Sequence, residues 1–190
     1  QLWLENTARL DYLLERCFDY QTIDEQGWGW NDGYYSIPVW EGKPHYSDCV
    51  AVRFRAGNGQ EPRYKGLKGY GSFLYNKYCM EGADTVFIVA GELDAALMWQ
   101  DGLSAVSSTN GKGSFREEWV PLFDHVDRVI VVPDRTPENE HETAVWISGL
   151  FGTRGRVARW PEGFVGKDYS DWRIGGKSEV DFLDMVRHLL

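Results

Sequence analysis

The segment that most constrains the fold runs from Thr85 to Ala95, with the sequence TVFIVAGELDA. Its first five residues are β-branched or aromatic, and a glycine and a helical pattern follow them. Such a short apolar run predicts a buried strand of a parallel sheet. Glu92 and Asp94 fall in the first helical turn, where the helix dipole favours acidic side chains. That turn lies at the carboxyl end of the strand, where open α/β sheets place their functional sites.

The rest of the chain after residue 84 alternates between strand-like and helix-like patterns. Strands are predicted over residues 86–90, 104–108, 126–133 and 155–160. Helices are predicted over residues 94–101, 115–123 and 140–151, and a last amphipathic helix is predicted from its cap at Ser178 to Leu190. This alternation predicts an α/β fold with a parallel four-stranded sheet covered by helices.

The first part of the chain has a different pattern, which predicts a small α+β region. An amphipathic helix is predicted over residues 2–17, followed by a short helical turn over residues 19–25. Residues 28–80 then predict a small antiparallel β region with glycine-rich connections. In its clearest strand, residues 49–55, the alternation places Val50, Val52 and Phe54 on one face and Arg53 and Arg55 on the other. We therefore predict three parts, over residues 1–83, 84–177 and 178–190.

Composition restricts the compartment in which the chain is expected. No apolar run approaches the roughly 20 residues of a membrane span, and residues 1–20 carry charges where a signal peptide would be apolar. Cys17, Cys49 and Cys79 are isolated, which argues against a zinc ribbon and against a disulfide framework. These features predict a cytoplasmic protein without a membrane partner. The net charge of −9 argues against general nucleic-acid binding.

One segment departs from that negative charge. Between Lys43 and Tyr78 the chain carries seven basic residues and only two acidic ones. Interleaved with them are the aromatic residues Tyr46, Tyr64, Tyr70, Phe73, Tyr75 and Tyr78. The basic residues are Lys43, Arg53, Arg55, Arg63, Lys65, Lys68 and Lys77. Cations follow a phosphate backbone and aromatic rings stack on bases, so the segment predicts a surface for nucleic acid. A solvated sheet face with core aromatics is the alternative.

Acidic residues follow three of the predicted strands. Asp94 follows the first, Asp134 the third, and Asp168 with Asp171 the fourth. Because all carboxyl ends of a parallel sheet lie at one edge, these carboxylates can converge there. Clustered carboxylates suit Mg²⁺ or Mn²⁺, the metals of phosphoryl transfer. The alternative is that they are charges and caps at helix starts. Trp99, Trp119 and Trp146 are predicted to be core residues of helices.

Three motifs together resemble a Toprim domain of the bacterial and phage primase type. They are VFIVAGELDAALMWQDGLSAVSSTNG, VIVVPDRT and RWPEGFVGKDYSDW. The upstream segments LDYLLERCFDYQTIDEQGWGW, YYSIPVW, VRFRA and PRYKG resemble the amino-terminal part of the same primases, with Cys17 in place of the usual glycine. The resemblance covers roughly residues 10–175. Each motif alone is weakly specific, whereas the combination is specific.

The resemblance implies a primase catalytic core, in which RNA primers are made from nucleoside triphosphates on a single-stranded DNA template. It implies Mg²⁺ or Mn²⁺ bound by Asp134, Asp94 and Asp168, with catalytic roles for Asp134, Asp94 and Glu92. Contacts to template or nucleotide are implied for Arg53, Arg55, Arg63, Lys65, Lys68 and Lys112. A replicative helicase is the implied partner, either as a separate protein or as part of the same chain, and a zinc-binding module is expected before residue 1.

Two positions depart from the family's pattern. Ala90 stands where the family has its catalytic glutamate, and Thr136 stands where it has a second aspartate. Glu92 is offset from that glutamate by two residues and is expected to point in another direction. Loss of the glutamate should reduce the rate by orders of magnitude. The chain is therefore an active or silenced primase core, or an inactive Toprim module that binds single-stranded nucleic acid or a replisome protein. A Toprim nuclease is a third alternative.

Overall fold

The described residues form two β-sheets, and both sheets contribute to the larger of two hydrophobic clusters. The computed structural model describes residues 7–57, 61–66, 71–135 and 140–190. The helices are α1 (Thr7–Leu14), α2 (Tyr20–Glu25), α3 (Glu92–Gln100), α4 (Glu140–Gly149), α5 (Tyr169–Ile174) and α6 (Glu179–Val186). The strands are β1 (Gly29–Asn31), β2 (Tyr34–Trp40), β3 (Cys49–Ala56), β4 (Tyr64–Gly66), β5 (Leu74–Tyr75), β6 (Thr85–Val89), β7 (Ala105–Ser108), β8 (Arg128–Val131) and β9 (Gly155–Val157).

The parallel sheet has the strand order β5-β7-β6-β8-β9. Strands β7, β6, β8 and β9 run parallel, which confirms the predicted four-stranded sheet. At one edge β5 pairs antiparallel with β7, through Leu74 with Ser108 and Tyr75 with Ser107. This fifth strand was not predicted, because two residues are too short to show an alternating pattern. It also brings part of the predicted antiparallel region into the parallel sheet.

The antiparallel sheet contains β1, β2, β3 and β4 in that order. Strand β2 is buried along most of its length, and it places Tyr35, Ile37 and Val39 in the core. Strand β3 alternates as predicted, but its apolar face is not the more deeply buried one. Arg55 is buried, whereas Val50, Val52 and Phe54 are only half-buried. The arginine face of β3 therefore points towards the rest of the molecule.

Two hydrophobic clusters cover the two faces of the parallel sheet. The larger cluster joins β2 and β3 to β6, α3, α5 and α6, so both sheets contribute to it. Phe87 of β6 packs edge-on against Phe182 of α6, with ring centroids 5.6 Å apart. The second cluster lies between the other face of the sheet, α4 and the turns before β8. Coverage of both faces explains why the parallel strands are almost continuously apolar.

Some predicted elements differ from those observed. Residues 115–123 were predicted as an α-helix, but Glu117–Phe123 is a 3-10 helix, because Pro121 lacks the amide that an α-helix needs. Trp146 was predicted in the core, but its side chain is 43% exposed; Trp119 is buried and Trp99 is half-buried. The cap predicted at Ser178 is confirmed as a capping box with Asp181. In the described part of the chain, none of the helices has the length and apolar character needed to cross a membrane.

Candidate active site

A cleft between the two sheets contains most of the predicted functional residues. Its cavity has a volume of about 440 Å³, which lies within the usual range for ligand sites. One side carries an arginine that closely follows α1 and further arginines from the antiparallel sheet and the segment before β4. The other side carries carboxylates from the edge of the parallel sheet. The charged lining residues are Arg16, Arg53, Arg55, Arg63, Glu92, Asp94, Asp134, Lys167 and Asp168.

Glu92 lies at the base of the carboxylate side. Strand β6 ends at Val89, and Gly91 is the N-cap of α3, so Glu92 is the first residue of the helix. The residue is only 5% exposed, and burial raises the pKa of its carboxyl group to about 7. Its Oε1 lies 3.5 Å from Nε of Arg53. Within the described residues neither of these two atoms makes a hydrogen bond. The two side chains form a loose, desolvated ion pair.

Asp94 is held on the same helix by a residue of α5. Its Oδ1 accepts hydrogen bonds from the backbone amide of Ser170 at 3.0 Å and from the Ser170 hydroxyl at 2.8 Å. Asp94 is 7% exposed. Burial and the neighbouring charge of Asp168 raise the pKa of Asp94 to about 7. The predicted convergence of carboxylates from separate strands is therefore observed, and it is electrostatically unfavourable without a cation.

Asp134 follows β8 and is nearly buried. Nζ of Lys167 lies 2.9 Å from its Oδ2, so the negative charge of Asp134 is already paired with a lysine of the chain. The backbone supports this contact, because the amide of Arg135 donates to the carbonyl of Lys167 at 2.7 Å. Trp160 also donates from its indole nitrogen to the carbonyl of Pro133 at 2.8 Å. The segment after β8 is thereby fixed against the segment before α5.

Asp168 combines a structural role with its place in the cleft. It is the N-cap of α5, and its Oδ1 accepts from the amide of Asp171 at 3.0 Å. Burial raises the pKa of Asp168 above its ordinary value. Asp171 itself accepts from the amide of Lys167 at 2.7 Å and is not among the residues that line the cleft. Asp168 therefore caps α5 and lines the cleft at the same time.

The arginine side of the cleft is built on β3. Arg55 is only 4% exposed. Its Nε donates to the Tyr64 hydroxyl at 3.4 Å, and its guanidinium lies 5.2 Å from the ring centroid of Tyr12. Its Nη1 is buried and makes no hydrogen bond among the described residues. A buried donor without an acceptor costs about 1–3 kcal/mol, so this atom marks a place where a ligand oxygen would be stabilised.

The remaining predicted cations occupy different positions. Arg63 is exposed at the cleft and stacks beside Tyr64. Lys65 is exposed and holds its Nζ 3.8 Å from the ring centroid of Tyr34, and it is not a lining residue. Lys112 begins a short 3-10 turn after β7, in a loop whose Asn110 and Gly111 line the cleft. Lys68 lies outside the described residues.

Two features of the cleft were not predicted. Arg16 follows α1, outside the basic segment, and lines the cavity. Nothing in the local pattern distinguishes it, because a cation after an amphipathic helix is usually solvated. Ser170 was also not predicted, although its position two residues after Asp168 places it in the first turn of α5. Ala90 lines the cavity beside Gly91, whereas Thr136 lies outside the described residues.

The donor chemistry of the carboxylates is compatible with a hard divalent cation. Asp94, Asp134 and Asp168 each have at least one oxygen in a contact within the chain. Carboxylate oxygens are the ligands that Mg²⁺ and Mn²⁺ prefer, and a cation would relieve the mutual repulsion that raises the pKa of Asp94. Across residues 7–57, 61–66, 71–135 and 140–190, no three His, Cys, Asp or Glu side chains are arranged as a ready metal site.

Solved structures of primases have the same fold. The chain aligns with the primase fragment of the bacteriophage T7 primase-helicase protein at a TM-score of 0.71 and 17% identity, covering 91% of this chain and 72% of that one. It aligns with the Escherichia coli primase catalytic core at 0.73 and 15% identity, covering 96% and 73%. A DnaG primase catalytic domain bound to single-stranded DNA aligns at 0.72 and 17% identity, covering 99% and 73%.

Sequence comparison alone finds no relative: no protein-family model matches the chain, and no curated protein matches it. The structural alignments nevertheless span nearly the whole chain, from the antiparallel sheet to the parallel one. The predicted α/β fold, with a helix-covered parallel sheet preceded by a small α+β region, is therefore confirmed, and it is the fold of solved primase catalytic cores.

Proposed function

We propose that this chain is a primase catalytic core, which joins ribonucleoside triphosphates into a primer on a single-stranded DNA template. The observation that carries the proposal is the cleft itself. In a primase-type fold, the buried Arg55 and the partly buried Arg53 of one sheet face the buried carboxylates of Glu92 and Asp94 at the other, across a cavity large enough for a nucleotide. Opposed cations and carboxylates suit a reaction in which phosphate groups are bound and charge develops during transfer.

The proposed reaction is nucleotidyl transfer. The 3′-hydroxyl of one nucleotide releases its proton to water, and its oxygen forms a bond to the α-phosphorus of the next nucleotide. The bond from that phosphorus to the oxygen that bridges to the β-phosphate breaks, and pyrophosphate leaves. Arg53, Arg55 and Arg63 would bind phosphate groups of the nucleotide or template. Asp134, Asp94 and Asp168 would hold Mg²⁺ or Mn²⁺, which neutralises phosphate charge when bound. Lys167 would have to leave Asp134 for the cation to bind there.

The proposed partners follow from the same assignment. The DnaG domain with this fold was solved with single-stranded DNA, and the T7 fragment comes from a primase-helicase protein. By analogy, we propose a single-stranded DNA template for this chain and a replicative helicase as its protein partner. Lys65 and Lys68 would contribute to the template surface beyond the cleft.

Primer synthesis tests the proposal directly. The chain is incubated with single-stranded DNA, labelled ribonucleoside triphosphates and Mg²⁺ or Mn²⁺, and oligoribonucleotide products are resolved by electrophoresis. Products that require both template and metal support the proposal. Asp127→Asn is a matched control for asparagine substitutions of the cleft aspartates, because Asp127 is exposed at the other end of β8 and lies outside the cleft. Cleavage of the DNA without any oligoribonucleotide product would instead support a nuclease.

A second function is favoured by two observations in the same cleft. Ala90 provides no carboxylate, and Asp134 is already neutralised by Lys167. Both fit a module that binds single-stranded nucleic acid without catalysis. The Ala90→Glu and Thr136→Asp substitutions distinguish the two functions. If the pair of substitutions produces or increases primer synthesis, the cleft is a weakened catalytic site; if DNA binds and no variant makes primers, the binding function replaces the catalytic one.

A further inference from the structure

The contact between Arg53 and Glu92 links the two sheets in an unusual way. Arg53 belongs to β3 of the antiparallel sheet, and Glu92 begins α3 at the edge of the parallel sheet. Both side chains are largely buried, at 15% and 6% exposure, yet their closest atoms are 3.5 Å apart. A buried ion pair offsets its desolvation only with close geometry and additional hydrogen bonds. Here the closest atoms, Nε of Arg53 and Oε1 of Glu92, make no hydrogen bond within the described residues.

The guanidinium of Arg53 occupies space that a side chain at the facing position of β4 would fill. Gly66 lies opposite Arg53 on β4, and a Cβ atom at Gly66 would be 2.6 Å from Nη1 of Arg53. The guanidinium therefore lies directly over a position without a side chain. Arg16, Arg55 and Arg63 line the same cavity, and Nη1 of Arg55 has no acceptor among the described residues. The arginine side of the cleft therefore has more donors than the described part of the chain satisfies.

We propose that Glu92 is a resident counter-anion for Arg53, which the triphosphate group of a nucleotide replaces when the cleft fills. The proposal rests on the proposed function, since it assigns the phosphate side of that cleft. A phosphate oxygen would meet the guanidinium of Arg53 with bidentate geometry that the 3.5 Å contact lacks. The same ligand would supply an acceptor to Arg55. Glu92 thus lowers the affinity of the empty cleft for anions and frees its carboxylate when the nucleotide binds.

This arrangement has a distinctive consequence for binding. Removing the charge of an ordinary ligand-binding residue weakens binding, whereas removing the charge of a competitor strengthens it. Binding of inorganic tripolyphosphate is measured by titration calorimetry at about pH 8.5, where the Glu92 carboxyl is ionised. EDTA in the buffer isolates the effect from any divalent cation. Glu92→Gln should tighten tripolyphosphate binding by roughly tenfold, the change expected when one close charge pair no longer competes with the ligand.

Two further variants show whether the effect passes through Arg53. Arg53→Met should weaken binding, and adding Glu92→Gln to that variant should then change the affinity less than twofold. Glu118→Gln is the matched control for net charge, because Glu118 pairs with Arg116 on the surface. Its affinity should equal that of the unaltered chain. Melting temperatures check folding, and Glu92→Gln should melt no lower than the parent, since it removes a poorly paired buried charge.

The outcomes are separable from those of the primer assay. Unchanged or weaker binding in Glu92→Gln, or a tightening that persists with Arg53→Met, would overturn the proposal. Absence of tripolyphosphate binding in every variant would overturn it too, while primer synthesis by the parent would still support the proposed function. If Glu92→Gln does not fold, Glu92→Asp is used instead. Its shorter side chain moves the charge away from Arg53, so it should tighten tripolyphosphate binding severalfold. An unchanged affinity would overturn the proposal.

Discussion

The antiparallel sheet and the parallel sheet both bury charged side chains at the cleft, but they do so by different structural routes. Strand β3 presents Arg53 and Arg55 through its alternation, so the cations project from the middle of a strand face. The parallel sheet presents Asp94, Asp134 and Asp168 where strands end and helices begin. A strand face supplies a row of cations at fixed spacing, whereas strand ends bring together residues that are distant in sequence.

The two sides also differ in how well their charges are satisfied. Most carboxylates have defined partners, such as Ser170 for Asp94 and Lys167 for Asp134. The arginines rely on aromatic rings and on the loose contact with Glu92, and Arg55 keeps a buried donor without an acceptor among the described residues. This difference suggests that the carboxylate edge is built to keep its geometry and that the arginine face is built to accept a ligand.

The largest expected effect tests whether the two sheets are one folding unit. Ile37 of β2 is fully buried in the cluster that also contains Phe87 and Leu97. Ile37→Ala should lower the free energy of unfolding by about 2–5 kcal/mol, because it leaves a cavity in the shared core. In urea, fluorescence and circular dichroism should report one coincident transition. Separate transitions would instead favour an independent unit over residues 1–83.

The second effect concerns the carboxylate edge. Asp134→Asn should reduce primer synthesis by about 100-fold or more, since it removes a charged ligand at the reacting phosphates. Its affinity for single-stranded DNA should change little, because the arginine face remains. Initial rates and fluorescence anisotropy measure the two quantities. An equal loss of DNA binding would contradict this assignment of catalysis to the carboxylate side and of DNA binding to the arginine side.

The third effect is a pH dependence of stability. Asp94 keeps its proton up to about pH 7 in the folded chain, whereas the unfolded chain releases it near 3.8. Between these values the folded state binds more protons, so the free energy of unfolding should fall as pH rises. Asp94→Asn keeps the acceptor for Ser170 and should flatten this fall by up to about 1.4 kcal/mol per pH unit. Urea midpoints at intervals across the window measure it.

The smallest effect separates the cleft from the outer surface. Lys65 is exposed and contacts Tyr34. Lys65→Ala should weaken binding of single-stranded DNA by only about threefold and lower the salt dependence by about one counterion. Tripolyphosphate binding should not change, because Lys65 does not line the cleft. A large loss of tripolyphosphate affinity would place Lys65 with the arginines of the cleft.

Sequence reasoning predicted the parallel sheet and its carboxylates because both depend on order along the chain. A strand that ends in an acidic turn places that turn at the sheet edge whatever the packing, so Asp94, Asp134 and Asp168 could be assigned together. The convergence of these three residues on one cleft is observed. Their roles in catalysis and metal binding stay predictions.

Other features depend on packing between distant segments and could not be predicted in this way. Alternation in β3 defines two faces but not which face is buried, so the burial of Arg55 was not apparent. The approach of Arg16 to the cleft depends on how α1 packs against the sheet. The pairing of Lys167 with Asp134 joins residues 33 positions apart, through the geometry of β8 and α5.

The most direct test of the composite cleft is hydrogen exchange with and without a nucleoside triphosphate and single-stranded DNA. If one ligand occupies the cleft, exchange should slow at the start of α3, after β8 and in the β3–β4 region together. Arg55→Met should reduce the protection on both sides, because the ligand bridges them. Protection confined to one sheet, or protection of the carboxylate edge that Arg55→Met leaves unchanged, would contradict the account.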